Sequence, residues 1–151
     1  MNLKFYKPSI IFNFLLLISF SISINSFAEI EIINYLFYVF FHLTFIYFLF
    51  YHFHYSIYVI ALFYGVLFDI ILLDDISSHL LTFILLVSIF YILKKFLFHL
   101  SSNQISIIIL LTLIVTLFLE AIFAYLFNNI VFTPYQIITY SILSIIIFIP
   151  S

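Results

Sequence analysis

The side chains of this chain that can do chemistry are few: six carboxylates, five histidines and four lysines in 151 residues, with no cysteine and no arginine. Two of the acids, Asp69 and Glu120, interrupt long apolar runs. An ionised Asp at the centre of a membrane helix costs roughly 2.5 to 3.5 kcal/mol, so such an acid is kept where it is protonated, paired or facing water. A protonated histidine such as His79 is the one internal cation within reach. Otherwise each acid is neutral and hydrogen-bonded, or another protein supplies the charge, which makes both candidates for partner docking. The histidines are a weaker lead. His52 and His54, two apart, fall on nearly opposite faces of a helix, and His42, His79 and His99 are expected at different depths. There is no His-Glu-x-x-His, no acidic triplet and no Ser/His/Asp set expected at one depth. A cysteine nucleophile and thiolate metal site are excluded outright. The expectation is a non-enzymatic protein with no cofactor and no metal.

The elements that hold these residues are set by solvent preference. The chain is 68% hydrophobic and 7% charged, and so few charges cannot form the polar shell of a water-soluble globule, where about 25% is usual. With a spanning helix needing roughly 20 apolar residues, the polar interruptions divide the sequence into spans over 10–28, 32–51, 57–73, 80–95, 105–127 and 135–149. The fold expected is an all-α polytopic bundle of six transmembrane helices, one integral membrane domain over 1–151. Placing Lys4 and Lys7 in the cytoplasm returns Lys94 and Lys95 to the same side. Those four lysines determine the topology, with both termini cytoplasmic and Glu29, Glu31, Asp74 and Asp75 outside. A cleavable leader ending at Ser26-Phe27-Ala28 is the competing reading of the first span, but its apolar stretch exceeds the 7 to 15 residues of a signal core. Net charge of −2 argues against nucleic acid as a partner.

Hydrophobic periodicity carries little information when every face is apolar, so the inverse pattern is read: small and polar residues recurring at helical spacing. Ala61, Gly65 and Asp69 share one face of the third span. Thr112, Thr116, Glu120, Ala124 and Asn128 form a stripe on the fifth, Asn34, Tyr38 and His42 on the second, and Gln136, Tyr140 and Ser144 on the sixth. Such stripes pack helices, their hydrogen bonds averaging only about 0.6 kcal/mol each. Ala61, Gly65, Asp69, Thr116, Glu120 and Ala124 are the helix-packing or partner-docking candidates. On the expected topology Asp69 and Glu120 lie about 6 Å and about 10 Å from the outer ends of their spans at 1.5 Å per residue. The 23 Phe and 12 Tyr match the drift of an AT-rich coding sequence and carry less weight than the single glycine.

Phe63-Tyr64-Gly65-Val66-Leu67-Phe68-Asp69-Ile70, a short loop, Ser78-His79-Leu80-Leu81 and a helix ending Tyr91-Ile92-Leu93-Lys94-Lys95 resemble the central signature of the MreD family of rod-shape-determining membrane proteins. Glu120 late in the fifth span, Pro134 in the following loop and Pro150 after the last span follow in the family's order. The loop departs from the pattern, with Asp74-Asp75-Ile76-Ser77-Ser78 where members usually carry glycines. The resemblance implies an inner-membrane component of the bacterial cell-elongation machinery, maintaining cell shape. Its implied partners are an MreC-like bitopic protein, an MreB-like filament and the peptidoglycan glycosyltransferase and transpeptidase. The family is also similar in architecture to the six-helix substrate-binding subunits of vitamin transporters. A small-solute-binding membrane subunit is therefore the alternative, and it would show an outward-open polar pocket between spans.

Overall fold

A computed structural model describes residues 6–26, 31–51, 53–72, 78–97, 99–129 and 132–148. Among these residues the chain is all-helical: α1 Tyr6–Ser26, α2 Glu31–Tyr51, α3 Ser56–Leu72, α4 Ser78–Leu97, α5 Ser102–Asn128 and α6 Pro134–Phe148. Three stretches, Ile32–Tyr51, Ser78–Leu97 and Asn103–Phe127, are long and apolar enough to cross a membrane, and Ser56–Leu72 and Pro134–Ile146 are shorter apolar helices. Lys4, Glu29, His52, Asp74 and Asp75 lie outside the described residues.

Local chemistry sets the helix ends. Gln104 Oε1 accepts from Ser101 N at 3.0 Å and from Ser101 Oγ at 3.1 Å, which fastens the first turn of α5. Asn129 closes that helix in the left-handed region at φ 54°, a conformation Asn tolerates better than most residues. At α6, Thr133 and Gln136 bond reciprocally, Thr133 N to Gln136 Oε1 at 2.9 Å and Gln136 N to Thr133 Oγ1 at 3.3 Å. Pro134 fills the first helical position, where a missing N–H costs nothing. The largest departures from the expected boundaries are at α1, which starts at Tyr6 rather than at 10, and α5, which starts at Ser102 rather than at 105; α4 starts at Ser78 rather than at 80 and runs on to Leu97.

Helix α2 is the central element. It packs on α1, α4, α5 and α6, and Phe41 meets Tyr64 and Phe68 of α3 with ring centroids 5.2 and 4.7 Å apart. Tyr38, Val39, Phe41, His42, Phe45, Ile46 and Leu49 are all buried, which leaves this helix almost no exposed face. The peripheral helices are arranged the other way round. Ile107, Leu111, Val115, Phe118 and Ile122 form an exposed apolar ridge along α5, while Thr116, Glu120 and Ala124 of the same helix are buried. Apolar outside and polar inside inverts the order of a water-soluble protein.

Candidate functional site

The α3–α4 hairpin begins with a close approach of backbones. A Cβ built on Gly65 would lie 2.5 Å from Leu80 Cα and 3.0 Å from Leu80 N, so only glycine allows the first turn of α4 to lie against α3. One turn further along α3, the Asp69 carboxylate closes that end of α4. Its Oδ1 accepts from His79 N at 2.8 Å and its Oδ2 from Leu80 N at 3.1 Å. Two backbone donors left open at a helix N-terminus are thereby satisfied by a side chain from another helix. That capping is why α4 starts two residues before the expected boundary. Ala61, Gly65 and Asp69 are all buried.

From Asp69 a chain of hydrogen bonds runs across the bundle. Asp69 Oδ1 meets His79 Nδ1 at 2.8 Å, and His79 Nε2 meets the Tyr38 hydroxyl at 2.9 Å. Tyr38 donates to Glu120 Oε2 at 2.5 Å, and Glu120 Oε1 meets His42 Nε2 at 2.8 Å. His42 Nδ1 then meets the Tyr38 carbonyl, one turn back on its own helix, at 2.7 Å. All five residues are buried. Phe68 stacks on His79 at 5.6 Å and Phe83 on His42 at 5.4 Å, excluding water from both rings.

Proton positions follow from donor and acceptor rules. A carbonyl only accepts, so His42 Nδ1 carries hydrogen. Tyr38 spends its one hydrogen on Glu120, so His79 Nε2 also carries one. Each acid–imidazole contact holds one more proton, on the carboxyl or on the ring. Five hydrogen bonds thus contain five protons. With either placement the group of five side chains has no net charge, which is the arrangement an apolar interior tolerates. Asp69, His79 and Tyr38 have the connectivity of a hydrolase triad, but the hydroxyl is committed to Glu120 and enclosed by the rings of Phe68 and Tyr140. The chain also terminates on a backbone carbonyl that cannot relay a proton. No proton passes beyond His42 at that end, while at the other end Asp69 Oδ1 also accepts from Ser78 Oγ at 3.5 Å.

The structure joins two histidines that the sequence left apart. His42 and His79, expected at different depths, belong to one network because the Tyr38 side chain bridges them and Asp69 draws His79 into the helix start. Asp69 and Glu120 each have a histidine partner within the chain, and both are turned away from the surface. Thr116 and Ala124 are buried above and below Glu120. Tyr38 and His42 belong to the polar stripe of α2, yet nothing in the pattern singled them out as members of the site. The available signal was a histidine one turn after a tyrosine in an apolar helix, in a chain whose acids within apolar runs needed partners. Lys7 lies in the first turn of α1, Lys94 and Lys95 in the last turn of α4. Among the described residues no three His, Cys, Asp or Glu side chains converge as a metal site. An open groove of about 260 Å³ between α5 and α6 is lined by Phe118, Ala121, Ile122, Leu126 and Ile137 among others, and its wall is largely apolar. No protein-family profile, curated protein or solved structure matches the chain.

Proposed function

We propose that the chain is a non-enzymatic scaffold of the bacterial cell-elongation machinery, a multi-pass protein of the inner membrane with six spans and both termini in the cytoplasm. Its partners in this reading are an MreC-like bitopic protein, an MreB-like filament and the peptidoglycan glycosyltransferase and transpeptidase. The observation that supports it is the hairpin clasp. Gly65, Asp69, His79 and Leu80, which carry the resemblance to the MreD family, are the residues that close α3 onto α4 through the glycine contact and the carboxylate cap. A motif of this kind is a positional device. It sets the angle and offset of two helices and leaves the outer faces of both free for other chains.

The relay extends the same logic to α2 and α5. With Asp69 and Glu120 each paired to a histidine inside the bundle, the exposed helix faces are largely apolar and suited to lateral contacts with single-span partners. The test is depletion of the protein in a rod-shaped bacterium, together with co-purification of the tagged chain with the MreC-like protein. Loss of rod shape, with the MreC-like protein recovered in the same detergent extract, is the expected outcome. Unchanged cell width with no co-purification would remove the reading.

A further inference from the structure

The end of the bundle opposite the α4 start holds a second constellation. Lys94 lies in the last turn of α4. Its Nζ sits 4.4 Å from the centroid of Tyr91, 4.7 Å from Phe53 and 5.9 Å from Tyr55, so three rings from α4 and the α2–α3 link wall it in. Ring faces attract an ammonium electrostatically but accept its N–H groups poorly. Among the described residues neither Lys94 nor Lys95 meets a carboxylate, for both ion pairs belong to the relay. Lys95, His54 and His99, neighbours in sequence of the cage residues, are exposed, and among the described residues of the α2–α3 link and the last turn of α4 there is no acid. Glu31, at the far end of the 21-residue α2, is roughly 30 Å away along the helix axis.

We propose that this end binds the phosphate of an anionic phospholipid, with the caged Lys94 and exposed Lys95 as its ligands and Tyr91 and Tyr55 as interfacial flanks. The inference rests on the membrane placement above but not on the elongation partners. Several observations select a lipid. The ammonium is held by the cage at a defined position with three donors lacking an oxygen acceptor. The neighbouring outer surface, Phe96 and Ile92 included, is apolar and exposed, as acyl chains require. Tyrosines occupy the level at which interfacial aromatics gather. The negative end of the α4 dipole lies at the same place, so the cage and the helix both favour a cation there.

The test reconstitutes the full chain into vesicles of equal phosphatidylcholine and phosphatidylglycerol, extracts it gently and counts retained lipids by native mass spectrometry. Each lysine is worth roughly fivefold in preference for the anionic lipid, so the wild type should retain phosphatidylglycerol on the order of twentyfold over phosphatidylcholine. Lys94→Gln with Lys95→Gln should abolish the preference at unchanged helix content. Tyr91→Leu, which keeps both charges and opens the cage, should lower it roughly fivefold, and excess inorganic phosphate should not displace the lipid. Equal retention of the two lipids by the wild type would overturn the proposal. So would a wild-type preference in Tyr91→Leu, since charge alone would then suffice, or displacement by free phosphate. Failure of the chain to enter vesicles would overturn the membrane placement, and the lipid site with it.

Discussion

Asp69 and Glu120 are both carboxylates paired to a histidine, yet their surroundings make them unequal. Glu120 faces one hydroxyl and one ring nitrogen. An amide can serve both, with its oxygen accepting from Tyr38 and its NH2 donating to His42 Nε2. Asp69 faces two backbone N–H groups that can only donate, so an amide there places NH2 against a fixed donor. Glu120→Gln should therefore cost under about 1 kcal/mol, whereas Asp69→Asn should cost roughly 1 to 3 kcal/mol, the penalty of an unmet buried polar group. Unfolding of the purified protein in detergent, followed by far-UV circular dichroism, should rank the two variants in that order. Equal losses would mean that the helix cap contributes nothing beyond the ion pair. This difference was hidden in the sequence. Two acids in apolar runs were visible as costly, and His79 as a possible partner, but the spacing of Asp69 and His79 says nothing about which backbone groups the carboxylate will cap.

Helix ends show the same division between local and distant causes. Where the cap lies next to its helix, as with Thr133, Pro134 and Gln136, the boundary was legible to within a residue, although α5, also capped locally by Ser101 and Gln104, starts at Ser102 rather than at 105 because its first turn is polar. Where a neighbouring helix supplies the cap, as Asp69 does for α4, the start shifted, because the contact depends on how two elements meet. Stripes of small and polar residues identified the buried faces of α3 and α5, since an apolar chain has no other reason to align them. They did not show which stripes would meet. Gly65 is the point where element packing depends on one atom. Gly65→Ala introduces a Cβ 2.5 Å from Leu80 Cα, and the obstruction is backbone. Separating α3 and α4 enough to admit it should cost roughly 1 to 3 kcal/mol, the usual range for overpacking. It also lengthens the Asp69 cap. The prediction is that Gly65→Ala and Asp69→Asn are less than additive in the same unfolding measurement, because each damages the clasp the other needs. Full additivity would separate the glycine contact from the cap.

Across the whole molecule, the distribution of polarity is the property that composition foretold best and placed worst. Few charges implied an apolar surroundings for the outer surface. Their joining into one neutral relay and one caged cation required the three-dimensional meeting of α2, α3, α4 and α5. In the proposed orientation, an alkaline-phosphatase fusion after Asp75 should be active and one after Lys95 inactive, since the enzyme folds only outside the cytoplasm. The reverse pattern would invert the topology.

The neutral relay also bears on the order in which the protein can be made. A lone Glu or Asp entering the bilayer is costly, and the partner that relieves it must already be present or arrive at once. Chain order provides this. His42 is synthesised well before Glu120, so the base is waiting when the acid of α5 is inserted, and His79 follows Asp69 by ten residues, within the same hairpin. On the proposed membrane placement, had the two halves of the sequence been exchanged, Glu120 would enter the bilayer before His42, and nascent chains would stay exposed to quality-control proteases for longer.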